Sequence, residues 1–184
     1  HGAGSSVTTG VLNTLVGGLA GDALTTGDNN IAIGYQALSG DTQGDRNVAV
    51  GIQALLSQNF TSSTDVYNTA VGFAAGASIT TGVQNTLIGG RSGDSLTDAD
   101  FNVAMGFEAL AADTLGSKST AIGFQALQDQ NFTSATDSLN TAMGYRAGAN
   151  ITTGTLNVAL GANALVTNTT ASYNTAVGQS ALSS

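Results

Sequence analysis

A five-residue core recurs ten times along this chain, and the repeat constrains the fold more than any other feature. Each copy begins with Asn, or once with Ser, and continues with Thr, Val or Ile, then Ala or Leu, then an aliphatic residue or Met, and then Gly. The spacing between copies is 17, as from Asn13 to Asn30, except for two intervals of 21, as from Asn47 to Asn68. We count positions from the first residue of each core, position 0. This column comprises Asn13, Asn30, Asn47, Asn68, Asn85, Asn102, Ser119, Asn140, Asn157 and Asn174.

A 17-residue period with short β-branched runs and a recurring Gly is typical of one coil of a parallel β-solenoid. Helical repeats are longer, roughly 33 to 47 residues. The sequence therefore predicts an all-β fold, a single solenoid array over residues 1–184 with about ten coils. Residues 1–9 form a lead-in, and 72-residue blocks of four coils begin at positions 10, 82 and 154, the last block being incomplete.

Composition excludes several classes of function. Acidic residues number 12 against four Lys and Arg, and the formal net charge is −8, so the chain cannot build the basic face that nucleic acids require. Cysteine is absent and there is one histidine, which removes disulfides, thiol nucleophiles, zinc clusters and a Ser-His-Asp triad. No stretch approaches the ~20 apolar residues of a membrane span. We expect no enzymatic activity, metal, cofactor, nucleic-acid partner or membrane insertion.

The two faces of each short strand carry different side chains, because side chains alternate along a strand. Positions +1 and +3 share one face, and +2 lies on the other. We interpret position +3 as the core ladder: Val16, Ile33, Val50, Val71, Ile88, Met105, Ile122, Met143, Leu160 and Val177. The Asn column is predicted to turn inward and to bond the coils above and below, because an unsatisfied buried amide is costly.

Position +2 is Ala in eight coils and Leu in two. A strand that is apolar on both faces is normally buried on both. We therefore predict that a second chain covers this column, although a flat exposed column of Ala is the alternative. The predicted contact column comprises Ala32, Ala49, Ala70, Ala104, Ala121, Ala142, Ala159 and Ala176.

The repeat N-T-A-[VI]-G-x-x-A-L resembles that of the head domains of trimeric autotransporter adhesins, and it is also similar to repeats of phage tail-fibre shafts. The resemblance extends from about Val11 to Leu182. It implies a left-handed parallel β-roll, three chains around one axis, an extracellular location, and binding to a host surface, glycan or matrix. The corresponding expectation is an extracellular structural or adhesive fibre module that forms a homotrimer. The alternative hypothesis is a subunit of a filament that stacks head to tail, and a third hypothesis is an ice-binding solenoid.

The two longer coils supply the candidate contact residues. Each is interpreted as carrying a four-residue insertion, Gln58–Thr61 and Gln130–Thr133. Loops on a rigid scaffold often bind ligands, so the candidates are Asn59, Phe60, Asn131 and Phe132. The alternative is that each Phe folds back to cap the wider coil or to latch a neighbouring chain.

Two further columns allow opposing interpretations. A hydroxyl column five residues before the Asn, including Thr8, Thr25 and Thr42, suits either ice binding or a structural Thr-Thr-Gly turn. Aromatic residues at position +5 suit either sugar stacking or packing in a corner of the core. These are Tyr35, Phe73, Phe107, Phe124 and Tyr145.

Overall fold

The computed structural model describes residues 2–183, so His1 and Ser184 lie outside the described residues. The predicted parallel β-solenoid is confirmed, and residues 2–183 contain strands and turns without a helix. Fourteen strands are present. They are β1 Thr14–Val16, β2 Ile31–Ile33, β3 Gly44–Asp45, β4 Val48–Val50, β5 Thr64–Asp65, β6 Thr69–Val71, β7 Thr86–Ile88, β8 Val103–Met105, β9 Gly116–Ser117, β10 Thr120–Ile122, β11 Thr136–Asp137, β12 Thr141–Met143, β13 Val158–Leu160 and β14 Thr175–Val177.

Ten of these strands form one parallel sheet, one strand per coil. Each pairs with the next coil at the same position of the repeat, as Thr14 does with Ile31 and Val16 with Ile33. The register holds across the longer interval, where Val48 pairs with Thr69. The four remaining strands form two-residue pairs, β3 with β5 and β9 with β11, beside the longer coils. Every repeat position therefore forms a straight column along the sheet.

The face of the strand that packs inward is the one opposite to our prediction. Ala32, Ala49 and Ala70 at position +2 are fully buried within the single chain, whereas Ile33 and Met105 at position +3 are exposed. The core-ladder interpretation of position +3 is therefore wrong. The prediction that a second chain covers the Ala column is wrong for the same reason, since all eight alanines, Ala32, Ala49, Ala70, Ala104, Ala121, Ala142, Ala159 and Ala176, lie in the chain's own core.

The alternation of side chains explains this arrangement. The amide of position 0 turns inward, so position +2 must share its face. A coil this short encloses a narrow interior, which accepts mainly Ala at +2 and +7 beside the larger core side chains. The larger β-branched residues at +1 and +3 are left outside.

Two columns share the remaining core volume. In coils where position +8 is Gly, position +11 is aliphatic, as in Gly76 with Ile79 and Gly93 with Leu96. A Cβ on Gly93 would lie 2.8 Å from Leu96 Cδ1. In coils where position +8 is Leu, position +11 is polar, as in Leu110 with Asp113. These two columns thus supply one large aliphatic side chain per coil.

The inward Asn column forms the predicted polar ladder. Asn85 Oδ1 accepts a hydrogen bond from the backbone N–H of Asn102 (3.0 Å), and its amide nitrogen donates to the carbonyl of Ala99 (2.8 Å). Asn47 and Asn30 are joined in the same way, at 2.9 Å from N–H to Oδ1. Each of these asparagines therefore links its own coil to a neighbouring coil, and the buried amides are left satisfied.

Candidate functional site

The outward side chains of the ten-stranded sheet form an extended exposed surface of threonine and aliphatic residues. We call this surface, made by positions +1 and +3 of every coil, the outer sheet face. It carries Thr, Val or Ile at +1 and Val, Ile, Met or Leu at +3, with no charged residue in any coil. Val16 is 55% and Met143 43% exposed, and the strands between them are half-buried or exposed at both positions. A contiguous apolar surface of this kind marks an interaction site in a folded protein.

Two columns border the outer sheet face. One is position +5, which we call the aromatic edge, where Tyr35, Phe73 and Tyr145 are about half exposed. The other is the residue directly before position 0, which we call the turn edge, where Tyr67, Phe101 and Tyr173 are exposed. Neither edge contains Asp, and Glu is absent from both. The surface beyond the strands is therefore partly apolar on both sides, and the turn edge also carries Asn29, Arg46, Gln84 and Lys118.

The aromatic edge is exposed, so the expectation that these rings pack in a corner of the core is wrong. Three of them stack along the solenoid, Phe107 on Phe124 with centroids 5.8 Å apart and Phe124 on Tyr145 at 5.3 Å. The interplanar angles are 16° and 6°. The stacked faces are thus occupied by neighbouring rings. A sugar ring stacks on an aromatic face, so this arrangement does not favour glycan stacking along the column.

The turn edge has an unusual backbone that the sequence did not signal. The residue before position 0 has φ between 52° and 63° in all ten coils, although none is Gly and only Asn29 is Asn. In most coils its N–H reaches back to the preceding coil, as in Arg46 to the carbonyl of Asp28 (3.0 Å). The left-handed turn directs these side chains outward beside the outer sheet face.

The candidate contact residues in the longer coils are placed differently from one another. Phe60 and Phe132 are buried, at 9% and 6% exposure, so their prediction as ligand contacts is wrong and the folded-back alternative holds. Asn59 and Asn131 remain exposed, and each Oδ1 accepts a 3.2 Å hydrogen bond, from Thr42 and Thr114 respectively. The structure does not bring the four residues together as a site.

The extra residues of the longer coils follow Phe60 and Phe132 rather than include them. Gln43 N–H donates to the carbonyl of Phe60, which keeps the regular repeat spacing, but Gly44 pairs with Thr64 and not with Thr61. Three of the four extra residues therefore form an exposed bulge at 61–63, and by the same register at 133–135; the fourth is inserted after Asp65 and Asp137, before the next long strand. The predicted placement at Gln58 and Gln130 is wrong, because both occupy the regular position +11 in the core.

A buried polar network joins each longer coil to the regular coil that precedes it. Asp41 accepts hydrogen bonds from Gln58 Nε2 (2.6 Å) and from the N–H groups of Gly44 (3.1 Å) and Phe60 (3.0 Å). Gln58 in turn accepts from Asn68 at 2.9 Å. Equivalent residues of the next four-coil block, Asp113, Gln130 and Asn140, repeat the network. These groups connect the longer coil to the coil before it, and their polar atoms are engaged with one another.

An ion pair closes each bulge from outside. Arg46 pairs with Asp65, and Lys118 Nζ lies 2.5 Å from Asp137 Oδ2. The guanidinium of Arg46 also lies 5.7 Å from the ring centroid of Tyr67. Both cations belong to the turn edge. Each bulge therefore forms an ion pair with the turn edge, at the same position of its four-coil block.

The hydroxyl column, five residues before position 0, joins adjacent coils. Its threonines donate to carbonyl oxygens of the following coil, as Thr25 does to Thr42 and Thr97 to Thr114, both at 3.0 Å. Thr8, Thr80 and Thr152 make the same contact. These hydrogen bonds are what the structural-turn interpretation of the column requires.

The remaining polar surface includes a shallow depression of about 230 Å³ around Arg91, Glu108 and Gln128. Arg91 donates to Asp94 (2.9 Å) and Glu108 (3.2 Å), and Gln128 donates to Glu108 (3.1 Å). The hydrogen bond to Asp94 raises the pKa of the Arg91 guanidinium above its ordinary value. The charged groups of the depression are thus engaged with one another.

Within residues 2–183 no group of three or more His, Asp or Glu side chains is arranged to hold a metal ion. The same residues include no helix long and apolar enough to cross a membrane. No protein-family profile, curated protein or solved structure matches this sequence. The functional argument therefore depends on the geometry of the chain itself.

Proposed function

We propose that this chain is a non-catalytic structural module of an extracellular fibre, in which three copies associate through their outer sheet faces around a common axis. The observation that carries the proposal is the outer sheet face, an uncharged apolar surface that runs the whole length of the sheet. The resemblance of the repeat to those of adhesin heads and tail-fibre shafts supports the extracellular location and the trimeric count. The exterior away from the axis would then present the host-surface, glycan or matrix contacts of an adhesive fibre.

The composition of the face favours a second copy of the same chain as its occupant. Each coil contributes one row to the face, which consists of its residues from the turn edge to the aromatic edge. Every row has nearly the same width and chemistry, because the repeat has nearly the same residues at +1 and +3. Copies with parallel axes therefore match row for row along the sheet. The acidic residues, which give the chain its net charge of −8, lie outside positions +1 and +3 and therefore not on the face itself.

Light scattering coupled to size-exclusion chromatography tests the assembly. We expect a discrete mass near three times 18.1 kDa. Ile88→Asp, at the centre of the face, should convert the trimer to a monomer because it would bury an unpaired carboxylate at the contact. Ser62→Asp, on the exposed bulge, is the matched control and should remain trimeric.

Circular dichroism of both variants distinguishes loss of assembly from loss of folding. A monomeric wild-type chain would contradict the proposal, and so would a trimer that survives Ile88→Asp with an unchanged mass. Long filaments in negative-stain images would instead support end-to-end stacking, the alternative assembly. Binding to glycan and matrix arrays, compared between wild type and the Ser62→Asp variant, then tests the adhesive role.

A further inference from the structure

We infer that the chains associate in a ring, with the aromatic edge of one chain packed against the turn edge of the next in the same row. This inference rests on the proposed self-association and specifies its contacts. The two edges lie on opposite sides of the outer sheet face. When three such faces surround one axis with the chains parallel, each chain presents one edge to each neighbour, and the two edges in contact are unlike. Such a heterologous contact closes into a ring.

The rows with a small residue on the aromatic edge leave space for the turn-edge side chain of a neighbouring chain. Where position +5 is Gly or Ala, a longer side chain occupies the turn edge, as in Gly18 with Leu12 and Ala162 with Leu156. Leu12 is 78% exposed and Leu156 39%, so both project from the isolated chain. A neighbour that offers Gly or Ala at the same height has room for these side chains.

Other rows carry large apolar residues on both edges. These rows pair Tyr67 with Phe73, Phe101 with Phe107 and Leu139 with Tyr145. All six side chains are exposed in the isolated chain. An aromatic ring from one edge would contact a ring or a leucine from the other, which are favourable pairs when water is excluded. In these rows the contact between neighbouring chains removes the largest exposed side chains from solvent.

The rows that contain a cation also suit the contact. Arg46 and Lys118 on the turn edge share their rows with Ile52 and Phe124 on the aromatic edge. Each cation is already paired with a carboxylate of its own bulge, which leaves its aliphatic stem to cover an apolar neighbour. No row brings two like charges together.

Parallel axes are required for these pairs to form. In an antiparallel dimer the first row of one copy would meet the last row of the other, and the match within rows would be lost. In a ring with parallel axes, every row meets its own equivalent. The stacked rings Phe107, Phe124 and Tyr145 then present one continuous wall to the neighbouring chain.

Engineered cysteines test the contact, because the chain has no cysteine of its own. The double variant Leu156→Cys/Ala162→Cys places one thiol on each edge of the same row. Strand β13 separates them by at least about 10 Å, too far for a disulfide within the chain. After mild oxidation or a short bismaleimide, denaturing gels should show most of the protein as covalent trimer.

Control variants establish that the link joins unlike edges. Leu156→Cys alone and Ala162→Cys alone should give no cross-link, because in the ring each thiol faces the opposite edge of its neighbour. Ser62→Cys/Ser134→Cys, on the two exposed bulges, should stay uncross-linked as well. Light scattering is run on every variant before cross-linking.

The outcomes separate this inference from the proposed function. Three results are possible failures when light scattering shows a trimer: a single variant cross-links, the double variant gives only covalent dimer, or the double variant gives no product with either reagent. Each of these results overturns the edge-to-edge ring and leaves the self-association intact. A monomer by light scattering overturns both. Covalent trimer from the double variant with neither single variant reacting supports the ring.

Discussion

Single side chains of the Asn ladder each serve two coils. Asn85 accepts from the N–H of Asn102 and donates to the carbonyl of Ala99, and its amide is fully buried. Asn85→Ala would leave a buried N–H and a buried carbonyl without partners, at roughly 1–3 kcal/mol each. We expect the free energy of unfolding, measured by urea denaturation, to fall by about 2–6 kcal/mol. Asn150→Ala, outside the ladder, is the control; an equal effect of the two substitutions would contradict the ladder's role.

The Gly at position +4 is required by the close approach of adjacent coils. Gly89 has φ of 132°, and a Cβ there would lie 2.5 Å from the carbonyl oxygen of Gly106. Its neighbour Gly90 has an ordinary φ, and a Cβ there would meet only the Phe107 ring at 3.4 Å.

These two adjacent glycines form a matched pair for mutagenesis. Gly89→Ala should lower the free energy of unfolding by about 2–4 kcal/mol, through backbone strain and the clash with the next coil. Gly90→Ala should change it by less than about 1 kcal/mol, since the ring can shift slightly. Urea denaturation followed by circular dichroism measures both, and tolerance of Gly89→Ala would show that the coils can separate at low cost.

At the scale of the element, the wide coil is attached to the coil before it by a buried carboxylate of that preceding coil. Asp113 accepts from Gln130 and from the N–H groups of Gly116 and Phe132. Asp113→Asn introduces a donor where every neighbour also donates, so one buried contact is lost. We expect a loss of about 1–3 kcal/mol in the free energy of unfolding. Asp129→Asn, at an exposed position, should be neutral, and equal losses would contradict the network.

The same element shows where the sequence pattern misled the prediction. The longer spacing located both wide coils correctly, but it does not say where within the coil the extra residues are inserted. Gln58 and Phe60 were assigned to the bulge because the same Gln-Asn-Phe-Thr segment occurs at equivalent places in the two longer coils. In the structure both side chains are buried, and Gln58 occupies the same core position +11 as in the regular coils.

For the whole molecule, the repetition of the four-coil block predicts a modular array. The sequences Ile79–Gly82 and Ile151–Gly154 are identical, so deleting residues 82–153 rejoins the chain in register. Each coil contacts mainly its neighbours, and the shortened array should fold with the same circular dichroism per residue. Deleting 82–151 instead leaves two extra residues at the junction, which must bulge outward, as residues 61–63 do, for the register to be kept. We expect that variant to unfold at a lower urea concentration than the 82–153 deletion; equal midpoints would contradict the fixed register.

The sequence by itself determined the period, the parallel solenoid and the inward Asn ladder, because each follows from residues that recur at constant spacing. It also contained the correct orientation of the strand, since an inward position 0 requires an inward position +2. We gave more weight to the large aliphatic side chains at +3, which are more typical of a protein core than Ala is. The narrow interior of so short a coil reverses this preference.

Only the tertiary structure decided which surface is left uncovered. The left-handed turn before each ladder residue has no sequence signature, because hydrogen bonds to the preceding coil impose it on Leu, Tyr, Phe, Arg and Lys alike. The stacking of Phe107, Phe124 and Tyr145 depends likewise on the distance between coils. Closure of each coil on its small side chains is what places the large ones outside, and this packing created the apolar face from which the proposed assembly is argued.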